Sequence, residues 1–376
     1  MRKKEDRKFI LLPAVLAVTL AAVFLYLLLG DPPAFKELEK EYRAEFPEVS
    51  AESVLSGDFS RNFEAYVNDA VPFRTAFVGL NSYVTLLTGR QNTTAIWRDR
   101  KGNLLEAPVD GKEETLVKNV RKVSEFAEQT GKKVYLVLPP SAGYCDADLP
   151  GLYRNCFRDD RYLSEIRKQL SEKVVFPDLS ERFLTAGNPL YYRTDHHWNR
   201  LGTELCYEAL CPVMGLSKAF GAADSAAAVS LPDFCGTTYS RSGLWFTPPD
   251  EISASDPGIP VKVRFSDEEA IFDSLYFTEK YKDSPDKYPV FLDGNHPVTY
   301  IETGALTGRS LMIVKDSFAL SLVPLLVRDF DRIVLVDLRY CKEPVSELCE
   351  RENTDEVLFL YSLSGFLTDA NIVWLR

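Results

Sequence analysis

"SLMIVKDSFALSLVPLLVRDFDRIVLVDL" (residues 310–338) places two unbroken runs of Leu, Met, Ile and Val on either side of an apolar, helix-forming stretch. A strand with one face in water alternates apolar and polar residues, whereas a short continuous apolar run between turn signals fits a strand buried on both faces. Strand, helix and strand within about thirty residues is the unit from which parallel sheets are built. The same kind of run recurs in "KVYLVLP" (133–139), "KVVFPDL" (173–179) and "EVLFLYS" (356–362). One helical stretch, over Lys112–Thr130, precedes the first of these, and another, near Arg161–Glu172, lies between the first two. The earlier helix carries Leu116, Val120, Val123 and Ala127 on one face, with Asp110 placed to cap it and Gly131 just past its end. The expected fold class is α/β, three layers, with a parallel sheet covered by helices on both faces. A Pro-, Ser- and Ala-rich interruption at about 217–296 reads as an inserted subdomain.

Upstream, "FILLPAVLAVTLAAVFLYLLL" (Phe9–Leu29) has no charge over 21 residues, about the length that crosses ~30 Å of hydrocarbon as a helix. The expectation is an N-terminal transmembrane helix, with Pro13 near one end, where a missing donor is tolerated. Arg2, Lys3, Lys4, Arg7 and Lys8 outnumber Glu5 and Asp6, an excess that keeps the N-terminus cytoplasmic and sends the rest outside. "LLLGDPPAF" lacks a small-x-small cleavage site, so a signal anchor is favoured over a cleaved signal peptide. The expected organisation is therefore 1–8 cytoplasmic, 9–29 spanning, 30–90 a helical stalk beginning with the amphipathic "FKELEKEYRAEF" (35–46), and 91–376 the main domain. The stretch "IWRDRKGNLLEAP" (96–108) reads as a hairpin turning at Lys101–Asn103. This localisation makes the chain a single-pass cell-membrane protein with its main domain extracellular.

Composition narrows the function classes. The chain of 376 residues is 45% hydrophobic and 26% charged, an ordinary globular balance, with a formal charge of −11. Because the first eight residues are net basic, the remainder is more acidic still, which argues against a nucleic-acid partner. Seven cysteines leave two readings open. Short bridges Cys145–Cys156, Cys206–Cys211 and Cys341–Cys349 with Cys235 left over would fit an oxidising compartment; several reduced, buried thiols fit equally well.

Ligands of doubly covered sheets bind outside the carboxyl ends of the strands, which draws attention to Ser317. It follows the run "SLMIV" with Lys315 and Asp316 and opens a helix at Phe318, so backbone N–H groups suited to an oxyanion lie nearby. Ser and Asp in that position are also ordinary helix caps. A serine nucleophile needs a base, and imidazole is best suited near neutral pH. The chain has only three histidines, and two are adjacent in "TDHHWNRLG" (194–202), the third being His296. Asp195 and His197 are two apart, a spacing that lets the carboxylate orient that imidazole; a purely structural histidine pair remains the alternative. Metal ligation by Asp195, His196, His197 and His296 is not expected, because adjacent helical side chains diverge by ~100°. Trp198 either packs beside the site or offers a platform to substrate, packing being the commoner use of so large a ring.

Taken together, "YYRTDHHWNRLG" (191–202), "LMIVKDSFA" (311–319) and "IVLVDLRY" (333–340) resemble the DHHW proteins of Gram-positive bacteria. Those are similar in turn to the SGNH-hydrolase-like domains of alginate O-acetyltransferases, whose comparable segment reads aspartate, any residue, histidine, tryptophan. The resemblance extends to "FEAYVNDAVPFR" (63–74), "WRDRKGNLLE" (97–106) and "VYLVLPPSAGYCDADLP" (134–150), and so covers about residues 60–376. It implies an SGNH-like domain with Asp195, His197 and Ser317 as the triad and His196 in the variable position; neither a cofactor nor a metal is expected. Ser317 stands in "KDSFA" rather than in a Gly-x-Ser setting. Its own N–H is the expected first oxyanion donor, and Asn295 in "DGNHP" (293–297) is the candidate second, its plain alternative being a turn asparagine. The implied activity is transfer of an acetyl group through an acyl-serine to a cell-wall or secreted polysaccharide. The implied partner is a multipass membrane acyltransferase that hands the acetyl group outward. An O-acetylesterase with the same triad and a non-catalytic glycan-binding or assembly protein are the alternatives. Aromatics in "YSRSGLWFTPPDE" (239–251) either line a sugar cleft or pack the insertion.

Overall fold

The computed structural model describes residues 2–30, 34–93, 95–111, 113–217 and 227–375. Two compact units divide the chain, one from 94–239 with 246–376 and the other from 1–93 with 240–245.

The larger unit is built on an eight-stranded sheet. Its strands are β1 (Lys133–Val137), β2 (Val174–Val175), β3 (Val261–Phe265), β4 (Ile271–Phe272), β5 (Val298–Thr303), β6 (Ser310–Lys315), β7 (Arg332–Val336) and β8 (Glu356–Leu360), in the spatial order β4-β3-β5-β7-β6-β8-β1-β2. From β7 through β6, β8 and β1 to β2 every pairing is parallel. Strand β6 shows why the unbroken run matters, because all six of its residues are buried. Leu311 and Ile313 join a core with Leu210, Leu322 and Leu326, whereas Met312 and Val314 join a second core with Val120, Phe126 and Leu348. One strand thus feeds apolar side chains to helices on both sides, which makes the three layers.

The parallel expectation covers only part of the sheet. Strands β5, β3 and β4 continue it antiparallel beyond β7, and β3 and β4 come from the insertion. In "VKVRF" (261–265), Val261, Val263 and Phe265 are buried while Lys262 and Arg264 are exposed. That alternation marks a strand with one wet face, so much of the insertion is sheet edge rather than a separate subdomain. The rest includes a hairpin pairing Ala227–Phe234 with Asp250–Ser255. The hairpin expected at 96–108 forms by pairing Ile96–Arg98 with Leu104–Glu106. The helix Glu113–Thr130 buries Leu116, Val120, Val123 and Ala127 and is followed by Gly131 at φ 63°; Lys112, its expected first residue, lies outside the described residues.

Strand order also sets the position of the crevice. From β6 the chain runs to β7 on one side, then crosses to β8 on the other. The carboxyl end of β6 is therefore a switch point, where diverging connections leave a cleft.

In the smaller unit a helix spans Arg2–Leu29. Among the described residues no helix is long and apolar enough to cross a membrane. This corrects the expected N-terminal transmembrane helix, which the structure does not support. The basic side chains Arg2 to Lys8 lie outside the described residues. The amphipathic helix expected over 35–46 is also replaced. Phe35–Lys36 pairs antiparallel with Glu41–Tyr42, Lys40 takes a left-handed φ of 56° in the turn, and buried Lys36 draws in Glu39, Glu41 and Asp69 at 3.4, 3.4 and 3.0 Å. Three helices follow, Ala51–Ser56, Asp58–Ala70 and Arg74–Leu87. The segment 240–245 packs on the last of them, where the Ser82 hydroxyl donates to the Ser242 carbonyl at 2.8 Å and the Trp245 indole N–H to the Thr75 carbonyl at 3.0 Å.

None of the seven cysteines is in a disulfide, so the three short bridges are not made. Cys206 and Cys211 sit on one helix, Arg200–Met214, and five helical positions put their side chains about 140° apart. Burial pushes the Cys145 and Cys206 thiols up, away from thiolate chemistry.

Candidate active site

Ser317 lies in the short turn between β6 and the helix Ala319–Leu326. Asp316 shapes this turn. Its Oδ1 accepts the Phe318 N–H at 2.9 Å, while its Oδ2 accepts the Ser362 N–H and hydroxyl at 2.7 and 2.8 Å. The Asp in "KDS" is thus a clamp between the ends of β6 and β8, leaving Ser317 half-buried and facing the crevice end of the sheet. Among the described residues the Ser317 N–H has no hydrogen-bond acceptor.

The loop ahead of helix Arg200–Met214 brings the histidines across. The Ser317 hydroxyl is 2.7 Å from His197 Nε2, and His197 Nδ1 is 2.5 Å from Asp195 Oδ1. The same carboxylate oxygen accepts the His197 N–H at 2.9 Å, and Oδ2 accepts the Thr237 N–H at 2.7 Å. Burial alone would push the Asp195 carboxyl up, but the neighbouring His196 and His197 charges and these hydrogen bonds outweigh it and hold the group well below the usual carboxylate range. Asp195 is therefore ionised, fixes Nδ1 of His197 as the protonated nitrogen, and leaves Nε2 as acceptor for the serine proton.

His197 is buried and lies flat on Tyr288, ring centroids 3.7 Å apart at 9°. Burial pushes its pKa down and the charge of His196 pushes it further, against the opposing pull of Asp195. A neutral imidazole is the form that can take a proton, so ester turnover should rise with pH through a midpoint below 6.5, the ordinary histidine value. Replacing His196 with glutamine removes one of the depressing charges. The acid limb of kcat/KM against pH is expected to move to higher pH in His196→Gln; a limb that stays in place or moves down would contradict this account of His196.

His196 itself points elsewhere. Its ring is 3.9 Å from that of His197, and Nδ1 is 3.7 Å from Asp195 Oδ2, beyond hydrogen-bond reach and without another partner. It lines a cleft with Leu105, Pro140, Tyr191, Phe318 and Leu363, an apolar trough beside the serine turn.

The two remaining expected site residues are Trp198 and Asn295. Trp198 is 0% exposed and donates its indole N–H to Ser321 Oγ at 2.8 Å. It locks the histidine loop to the serine helix and is out of reach of substrate, which corrects the platform reading. Asn295 is exposed, and its Oδ1 accepts from Lys315 Nζ at 2.6 Å. Lys315 is fully buried beside Asp337 at 3.3 Å, and burial pulls its pKa down to about 8. Among the described residues no hydrogen bond joins Asn295 to Ser317 or His197.

The residues that reading the sequence missed come from the insertion. Asp250 accepts the Arg193 and Thr194 N–H groups at 3.0 and 2.7 Å and the Thr194 hydroxyl at 2.5 Å. Thr237 caps Asp195, Gly236 packs against it, and Tyr288 carries His197. Asp and Thr in a polar loop carry no periodic signal, so only the fold reveals them. At Gly236 an added Cβ would fall on the Cβ and carboxylate of Asp195, a buried side chain with no room to retreat. Gly236→Ala is expected to cut ester turnover by roughly a hundredfold, since ångström-scale misplacement of a catalytic group costs about that much. Steady-state kinetics on a variant with wild-type circular dichroism checks this.

Residues 180–336 match the family model for the DHHW protein, and residues 100–231 match that for the SGNH hydrolase-like domain, acetyltransferase AlgX. Among solved structures, a DHHW family protein from Eubacterium siraeum is similar at 23% identity and a TM-score of 0.62, covering 74% of this chain and 93% of that one. Bacillus cereus PatB1, solved with a sulfonyl adduct, is similar at 22% identity and a TM-score of 0.62, covering 75% of this chain and 98% of that one. No curated protein sequence matches the chain significantly. The chain resembles DHHW proteins, its fold is SGNH-like, and at family level the likeness is to O-acetyltransferase-like domains.

Proposed function

We propose that the chain is a serine-dependent O-acyltransferase that carries an acetyl group through acyl-Ser317 to a hydroxyl of a cell-wall or secreted polysaccharide. The observation that carries this reading is the hydrogen-bonded line from Ser317 through His197 to ionised Asp195. In the first half-reaction Ser317 Oγ attacks the acyl carbonyl while His197 Nε2 takes its proton, and collapse of the tetrahedral intermediate returns that proton to the leaving group. The Ser317 N–H is the donor placed for the oxyanion. With its Oδ1 committed to Lys315, Asn295 keeps its amide N–H groups for the same role. In the second half-reaction a sugar hydroxyl gives its proton to His197 and takes the acyl group, restoring the serine. The scheme uses no cofactor. Its upstream partner is proposed to be a multipass membrane acyltransferase that delivers the acetyl group, and a polysaccharide acceptor of this kind places the reaction outside the cell.

The test is an acyl-enzyme trap on the full chain with 4-nitrophenyl acetate, quenched early and read by peptide mass, with and without an oligosaccharide acceptor. Acetyl on Ser317 that passes to the sugar is the expected result. Acetyl on Ser317 released only as acetate would make the protein an esterase. No adduct, together with no labelling of Ser317 by a sulfonyl fluoride, would leave a binding module.

A further inference from the structure

We propose that Glu268, Asp293 and His296 form a binding site for one divalent transition-metal ion, at the foot of the loop that carries Asn295. One donor atom from each of the three lies within 4.8 Å of the others. The clearest pointer is His296. It is 8% exposed, its ring lies flat on Phe265 with centroids 3.8 Å apart at 11°, and its Nδ1 is 2.8 Å from Asp267 Oδ1. Nε2 is the nitrogen left over, and it is buried with no hydrogen-bond partner. An imidazole oriented through Nδ1 by a carboxylate, with its other nitrogen bare, is the usual posture of a metal-ligating histidine.

Asp293 supplies the second donor. Its side chain is 5% exposed and is already oriented by the Tyr281 hydroxyl at 2.6 Å and Lys280 Nζ at 2.7 Å. A carboxylate has about four lone-pair sites, so capacity for a metal remains. Lys280, 57% exposed, can swing out as the ion enters. Glu268 is exposed and closes the site from the solvent side. Donors on a single tetrahedral zinc lie about 3.3–3.6 Å apart, so the three groups must draw together by up to about an ångström and a half, a movement the exposed Glu268 side chain is free to make. One imidazole with two carboxylates favours zinc or manganese over calcium and magnesium, which take oxygen alone, and leaves a coordination position for water.

The ligands sit on two separate stretches of chain. Glu268 follows β3, whereas Asp293 and His296 precede β5, its antiparallel partner. An ion here ties the end of β3 to the loop whose Asn295 holds Lys315, two residues before Ser317. The site is independent of the acyltransferase chemistry, and its three ligands, unlike His196 and His197, are not adjacent in the chain.

The full chain, stripped with a chelator, is titrated calorimetrically with Zn²⁺ and with Mn²⁺ as wild type, Glu268→Gln, His296→Gln and His196→Gln. One saturable site per chain is expected in wild type and in His196→Gln. Affinity should fall at least about tenfold in Glu268→Gln and His296→Gln. Should His296→Gln fail to fold, the exposed Glu268→Gln carries the comparison. Absence of saturable binding in wild type, or unchanged affinity in Glu268→Gln, overturns the site. Binding lost in His196→Gln but kept in Glu268→Gln overturns it equally, by moving the ion to the Asp195, His196, His197 cluster.

Discussion

Ser317→Ala is expected to abolish the acetyl adduct and to lower ester turnover by roughly 10⁴ to 10⁶, the range seen when the nucleophile of a hydroxyl-base-acid unit is removed. The loss belongs almost wholly to chemistry. Ser317 is half-buried in a turn held by Asp316, whose bonds to Phe318 and Ser362 do not involve the serine side chain. Removing one hydroxyl therefore costs the fold little, and the thermal midpoint should stay within a few degrees of wild type. Stopped-flow release of 4-nitrophenol measures the first half-reaction directly. A variant that keeps a burst of wild-type size would show that the acyl group goes elsewhere, and the proposed mechanism would fail with it.

Asp195→Asn is expected to cost about 10⁴ in kcat, although it changes a single atom and barely changes size. The carboxylate accepts from His197 Nδ1, from the His197 amide and from the Thr237 amide. A carboxamide facing His197 with its NH₂ group offers a donor where an acceptor is needed. The imidazole then keeps its proton on Nε2, pointing at the serine, and can no longer act as base. Substrate binding should change little, so the loss should appear in kcat rather than KM. A loss confined to KM would place Asp195 in binding instead. The variant also removes a buried charge that lowers its own pKa by favourable contacts. The stability that those contacts contribute is present above the ordinary aspartate value near 4 and is lost as pH falls, so wild type and variant should converge in stability toward acid.

The buried strands were legible because burial on both faces writes itself as an unbroken apolar run, and β1, β6, β7 and β8 all have one. The edge was less legible. β3 alternates, but inside a Pro-rich stretch its five residues compete with turn signals, and its partner β4 has only two. The N-terminal apolar run and the charged stretch at 35–46 show the opposite failure. Both fit helical periodicity, yet among the described residues no helix is long and apolar enough to cross a membrane, and in the second the demand of a buried lysine for three carboxylates decides for a hairpin. At the site, Asp195, His197 and Ser317 could be paired from chemistry and family resemblance. Trp198 could not be assigned, since packing and stacking use the same ring. Tyr288, Thr237 and Asp250 had no signal at all, because each acts through a partner tens of residues away.

The cradle contributed by the insertion has a consequence for how the protein reaches its working state. The serine and its base are 120 residues apart, and the groups that steady the acid and the imidazole are scattered over the interval between them. Each contact closes a long loop before any of its stabilisation is returned. The line from Asp195 to Ser317 exists only once the intervening chain has docked. Competence therefore requires the docked insertion as well as the sheet, and a chain whose insertion is displaced cannot acylate anything even with its serine in place.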